Sequence, residues 1–211
     1  MRFFRPLRIR TTMTAGLVAL AAVFTVAATA VPASATASTI KATYPVTGST
    51  FLNAPGATLP LGPGKLVAHV NASTGAVKAT LTLPNATGSF EELGAIPVTA
   101  TAHFINDGPT TGTINLSTGA VTSTSHITMQ LVSLSVAGIP IPLGPSCETS
   151  TPAVVQVTSQ PGFNLLKGGN LEGTYTIPPF ANCLLATPLI NLTLTGPGNT
   201  ITLTLGKAKI G

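Results

Sequence analysis

The chain has 211 residues, room for one domain or two very small ones, and a formal charge of +5 that would suit nucleic acid or an anionic membrane. Four of its ten basic residues, Arg2, Arg5, Arg8 and Arg10, sit in the first ten positions, and the rest of the chain sets six lysines against five carboxylates. Without a basic cluster to neutralise phosphates, nucleic-acid binding is excluded.

Residues 1–37 read as a signal peptide. The arginines form its basic n-region, and Ala15 to Val31 is an uncharged apolar run. Pro32 then breaks the helix ahead of two overlapping small-x-small sites, which place cleavage after Ala35 or Ala37. The product is expected outside the membrane, secreted or loosely held at the cell envelope, with no transmembrane helix after processing. A lipid anchor would need a cysteine at the cleavage site, and the first cysteine is Cys147. The nearest approach to a sortase signal, Leu83-Pro84-Asn85-Ala86-Thr87-Gly88, carries one residue too many and lies mid-chain.

From residue 38 to 211 the sequence reads as a single all-β domain. Thr, Val, Leu, Gly and Pro dominate, and apolar residues alternate with Thr or Ser at period two, the mark of half-buried strands. In chain order the strands are expected at Lys65–Asn71, Val77–Leu83, Ile96–Phe104, Thr111–Leu116, Val121–Val136, Val154–Ser159, Leu171–Ile177, Leu189–Thr195 and Thr200–Leu205. In the first two, Leu66, Ala68, Val70, Val77, Ala79, Leu81 and Leu83 should face inward. His69, Lys78, Thr80 and Thr82 should face out. A helical turn is conceivable only at Phe180–Leu185, after Pro178-Pro179. Many short strands without crossover helices imply an antiparallel β-sandwich or a flattened barrel.

Turn chemistry separates these runs. Asn106-Asp107-Gly108-Pro109 is one turn, and Gly196-Pro197-Gly198-Asn199 reads as a hairpin between the last two strands. Asn71-Ala-Ser-Thr-Gly-Ala-Val77 recurs as Asn115-Leu-Ser-Thr-Gly-Ala-Val121, each copy a strand, a tight turn with a left-handed Gly, and a strand. Pro60-Leu61-Gly62-Pro63 and Pro142-Leu143-Gly144-Pro145 are a looser echo.

Cys147 and Cys183 are too far apart for a C-x-x-C redox or metal motif and are expected to form a structural disulfide. His69, His103 and His126 all fall on polar strand faces, without the nearby His or carboxylate that a metal site often shows. Glu91 and Glu92 are adjacent, so on a strand they point to opposite faces and cannot form a glycosidase pair. Ser38-Thr-Ile-Lys41 and Gly62-Pro-Gly-Lys65 match nucleophile and phosphate-loop motifs in letters but not in setting. The sequence therefore assigns no catalytic residue, no metal and no cofactor. With no Trp and only Tyr44 and Tyr175, aromatic platforms for polysaccharides are also excluded.

Two apolar, Pro-rich runs stand out. Ile139, Ile141 and Leu143 in the first, with Leu184, Leu185, Leu189 and Ile190 in the second, are candidates to line an apolar groove.

The segment Gly173-Thr-Tyr-Thr-Ile-Pro-Pro-Phe180, continuing through Cys183 to Gly196-Pro-Gly-Asn-Thr200, resembles a group of exported actinobacterial β-rich proteins of unknown function. The likeness covers about the last fifth of the chain, and the arginine-start signal peptide is similar too. It implies an extracytoplasmic setting and supplies no activity. The expected function is a non-enzymatic binding or structural module of the envelope or medium. A carrier of an apolar, lipid-like ligand comes next, and an extracellular hydrolase third.

Overall fold

A computed structural model describes residues 38–92 and 95–211, so the expected signal peptide lies outside the described residues. Fourteen strands occupy the described chain. They are β1 (Thr39–Leu52), β2 (Ala57–Asn71), β3 (Ala76–Thr82), β4 (Ala86–Glu92), β5 (Ile96–Asn106), β6 (Thr110–Ile114) and β7 (Val121–Val136). There follow β8 (Ile139–Pro140), β9 (Glu148–Thr149), β10 (Ala153–Ser159), β11 (Gly169–Ile177), β12 (Phe180–Ala181), β13 (Gly196–Leu205) and β14 (Lys209–Ile210). The one α-helix is α1 (Thr187–Thr193), entered through a 3-10 turn at Leu184–Ala186.

Eight strands close on themselves in the order β1-β2-β3-β6-β7-β10-β11-β13, every pair antiparallel. The decisive ladder is β7 with β10, running from Ala153 opposite Ile127 to Thr158 opposite Thr122. Of the two all-β architectures expected, the structure is the barrel. Closure leaves no exposed edge in the ring, which is how small β-proteins avoid edge-to-edge pairing. The second half of β7 rises above the ring and pairs with β5, which carries β4. A Cβ at Gly88 of β4 would meet Leu59 of β2, so β4 lies against the upper part of β2.

Two long strands change which residues face inward partway along. On β2 the buried positions are Ala57, Leu59 and Leu61, then Ala68 and Val70, because Gly62 and Pro63 form a bulge opposite Thr47. One half of the looser Pro-Leu-Gly-Pro echo is thus a strand bulge, while Pro142-Leu-Gly-Pro145 is loop. On β7 the inward set passes from Met129 and Leu131 to Leu134, with Val132 as the extra, exposed residue. Such insertions bend a strand and re-aim its side chains, which lets one strand serve two walls.

The expected inward set on β2 and β3 holds. Ala68, Val70 and Ala79 are buried, Leu66, Val77, Leu81 and Leu83 pack against the core, and His69, Lys78, Thr80 and Thr82 are exposed. The expected strand at Leu189–Thr195 and its hairpin are corrected. Residues 187–193 are helical, and Gly196 and Pro197 open β13. Ile190 and Leu194 are buried four residues apart, the helical spacing, while Leu189 and Leu192 are exposed. Pro188 sits in the first helical turn. The Asn191 side chain accepts from the Phe180 backbone N–H at 2.7 Å and donates to its carbonyl at 3.0 Å, standing in for a strand neighbour.

The repeated turn is one structure used twice. Asn71 Oδ1 accepts from the N–H groups of Ser73 and Thr74, as Asn115 Oδ1 does from Ser117 and Thr118. Gly75 and Gly119 take positive φ, 71° and 78°. A third copy is present in geometry: Asn164 Oδ1 accepts from Leu166 and Lys167, ahead of Gly168 at φ 84°. All three turns lie at the same end of the barrel, called the base below.

Candidate functional site: the barrel axis and its apolar end

Three cavities of about 70, 70 and 50 Å³ follow one another, the lower two within the barrel and the highest above the ring, where β4 and β5 supply part of the wall. The lowest lies among Tyr44, Val46, Ala68, Ala79, Val157 and Leu205, beneath Phe163 and Leu165. It shares Leu81, Ser125, Val157 and Leu203 with the middle one, which shares Thr50, Phe104, Met129 and Tyr175 with the highest. They form a column interrupted only by side chains. Along β1 the lining runs from Tyr44 to Leu52, so the column is about 20 Å long at the usual strand rise and barrel tilt. Each cavity is smaller than the 150 Å³ void that admits benzene in an engineered protein, and the three together exceed it.

The interior is under-filled because its wall is built from small residues. Ala68, Ala79, Val121, Ser123, Ser125 and Val157 all point inward, and an eight-stranded barrel needs large side chains to fill it. Most of the few polar side chains inside have partners in the wall, the half-buried Ser123 hydroxyl excepted. The hydroxyls of Tyr175 and Thr50 are 2.6 Å apart and those of Thr110 and Ser125 2.7 Å, and Asn106 donates to the Leu81 carbonyl at 2.7 Å. Tyr44 donates to the Leu165 carbonyl at 2.7 Å. Burial raises the ionisation of both tyrosines above their ordinary 10.0, partly offset for Tyr175 by its Thr50 hydrogen bond. No buried side-chain polar atom among the described residues is left without a partner.

No protein-family model, curated protein or solved structure matches this chain. Its chemistry is therefore argued from its own geometry.

The two apolar runs meet at the end opposite the base, joined by the Cys147–Cys183 disulfide, both of whose cysteines are fully buried. Of the candidate groove residues, Ile190 is core and Ile141 and Leu143 are half-buried. Ile139 is 66% exposed, Leu185 99%, and Leu184 and Leu189 are exposed as well. They do not share one groove. Ile141 and Leu143 border an open depression beside β7, whereas Leu189 and Ile190 border a separate apolar pocket of about 190 Å³ between α1 and Phe90, Ile96 and Val136.

The histidines stay apart. His103 Nδ1 lies 2.8 Å from Asn85 Oδ1, His126 is exposed beside Val154, and His69 is exposed beside Lys78. No cluster of metal-ligating side chains occurs among the described residues. The sequence reading missed the axial lining contributed by β1, although Ala42, Tyr44, Val46, Thr50 and Leu52 keep strict period two. Thr50 and Gly48 interrupt the apolar pattern there, and that hid the strand.

Proposed function

We propose that this protein is a non-enzymatic binding protein that holds a small apolar molecule along the axis of its barrel, and that it acts outside the membrane. The observation that supports this reading is the tandem column of apolar cavities that begins inside the closed eight-stranded wall and continues above it between β1, β4, β5 and β11, since eight-stranded barrels can hold a single small ligand. The buried disulfide supports an oxidising, extracytoplasmic setting. No described helix is long and apolar enough to cross a membrane.

Two measurements test it: native mass spectrometry of protein purified from culture medium, and titration with methyl parinarate, a neutral linear polyene fluorophore. A stoichiometric co-purifying molecule, or saturable one-to-one enhancement of fluorescence, is expected. Enhancement should be lost when Ala68→Phe fills the lowest cavity. A clean protein that neither carries a molecule nor takes up the fluorophore removes the reading. It would favour the second one, a structural module of the envelope, for which the exposed leucines of the 184–192 segment speak.

A further inference from the structure

The two ends of the column differ in charge. Lys41, Lys78, Lys167, Lys207 and Lys209 are exposed at or near the base, against Glu172 alone. At the opposite end no residue between Ile127 and Cys147, or between Gly173 and Gly206, carries a charge. The charges there are acidic: Glu91 near the end of β4, and Glu148 on β9. We infer that the ligand is an unbranched single-chain amphiphile with an anionic head, held tail-inward with the head at the lysine-rich base; this rests on the reading of the barrel as a carrier.

The shape of the tail follows from the column. It is long, each of its cavities is smaller in volume than a benzene-sized void, and Leu81, Leu203, Phe104 and Met129 constrict it. A methylene chain can thread such constrictions, helped by the pliable Met129 side chain. A ring system or cage cannot. The interior offers a head group only the half-buried Ser123 hydroxyl in the lowest cavity, because its other hydroxyls and the Asn106 amide already bond one another or the backbone. A polar head must therefore stay at one end, and the sign of the local charge favours an anion at the base.

The base also has the movable part. Residues 160–168 cross it as a loop between β10 and β11, placing half-buried Phe163 and Leu165 over the lowest cavity and exposed Lys167 beside them. The Tyr44 hydroxyl holds the middle of this loop by its bond to the Leu165 carbonyl, and the Ala208 N–H holds its far side through the Leu166 carbonyl at 3.0 Å. Breaking these two bonds and turning Phe163 and Leu165 outward opens the column and brings Lys167 to the head of an incoming chain.

The test is displacement of methyl parinarate, a neutral linear polyene fluorophore, by decanoate, decanol, decyltrimethylammonium and adamantane carboxylate near neutral pH and low salt. Decanoate should bind about tenfold more tightly than decanol or the ammonium, a gap of the size that several exposed charge contacts supply. The gap should shrink in about 0.5 M salt, where screening is nearly complete over a few ångströms. Adamantane carboxylate, with the same charge on a cage, should not displace the fluorophore. The double variant Lys167→Gln/Lys207→Gln should lose most of the preference for decanoate while decanol binding is unchanged. Equal or better binding of decanol or the ammonium overturns the anionic head, and displacement by the adamantane acid overturns the unbranched tail; either result leaves the carrier reading standing. If the fluorophore itself does not bind, both fall together.

Discussion

Ala79→Val and Ala42→Val are the same chemical change at two buried strand positions, and the structure predicts opposite signs for them. Ala79 borders the lowest axial cavity, opposite Ala68 on the neighbouring strand. Ala42 is fully buried and borders none of the three axial cavities. Valine adds two carbons, worth about 0.8 kcal/mol each when buried, so filling the void at Ala79 should stabilise by roughly 1 kcal/mol after the side chain's lost rotamer freedom. At Ala42 the same atoms have nowhere to go, and overpacking should cost about 1–3 kcal/mol. The strand preference of valine over alanine favours both variants and cancels in the comparison. Urea unfolding followed by circular dichroism reads the difference as a shift in midpoint at constant slope. In a thermal scan each kcal/mol should move the midpoint by about 2–4 °C. If Ala79→Val destabilises as much as Ala42→Val, the axial cavity is not a void that a side chain can fill, and the carrier reading loses its physical basis.

Three further outcomes follow from the structure. Replacing Cys147 and Cys183 by Ala opens a loop of 36 residues and should cost about 3–4 kcal/mol in the chain-entropy description, measured as the urea midpoint against wild type. Gly75→Ala and Gly119→Ala both force alanine into a left-handed turn, costing about 1 kcal/mol each. A Cβ at Gly75 would also collide with the Ile114 carbonyl, whereas one at Gly119 meets nothing closer than 3.7 Å, so Gly75→Ala should be clearly the worse by thermal melt. Tyr44 and Tyr175 are the only tyrosines in the chain, and burial holds both above the ordinary value of 10.0. The unfolded chain then loses these protons first, so their contribution is complete below pH 10 and falls away as pH rises past it. Ultraviolet titration should show tyrosinate appearing together with loss of the folded circular dichroism signal; free titration of either ring in the folded state would contradict its burial.

Period two in the sequence located most of the wall. Val121–Val136 was placed to the residue, and β3, β5, β6, β10 and β11 to within one or two positions at each end. What alternation could not show was closure. The same strands make a sandwich or a barrel depending on whether β7 reaches β10, and that long-range pairing, Thr122 to Ile127 against Thr158 to Ala153, leaves no mark in the alternation of either strand. The helix at 187–193 was hidden because seven apolar and Thr/Asn residues fit both periods, and the tie is broken by a tertiary contact, the Asn191 clamp on Phe180. The third base turn was invisible in letters because Asn164-Leu-Leu-Lys-Gly168 shares only Asn and Gly with the other two, yet those two residues carry the geometry. The candidate groove was read from apolar runs alone. The structure separates its residues into core, half-buried and solvent-facing sets, while the axial lining drew on alanines and serines that no hydrophobicity argument would select.

Strand β1 is hydrogen-bonded on one side to β2 and on the other to β13, whose residues lie about 150 positions further along, as in Thr50 opposite Ile201. Synthesis is vectorial, so the seam between them is sewn last, after nearly the whole chain has emerged. Until then neither end of the sheet is shut, and no partial product has a finished wall. The chain therefore stays loose enough to be threaded for most of its synthesis and sets late.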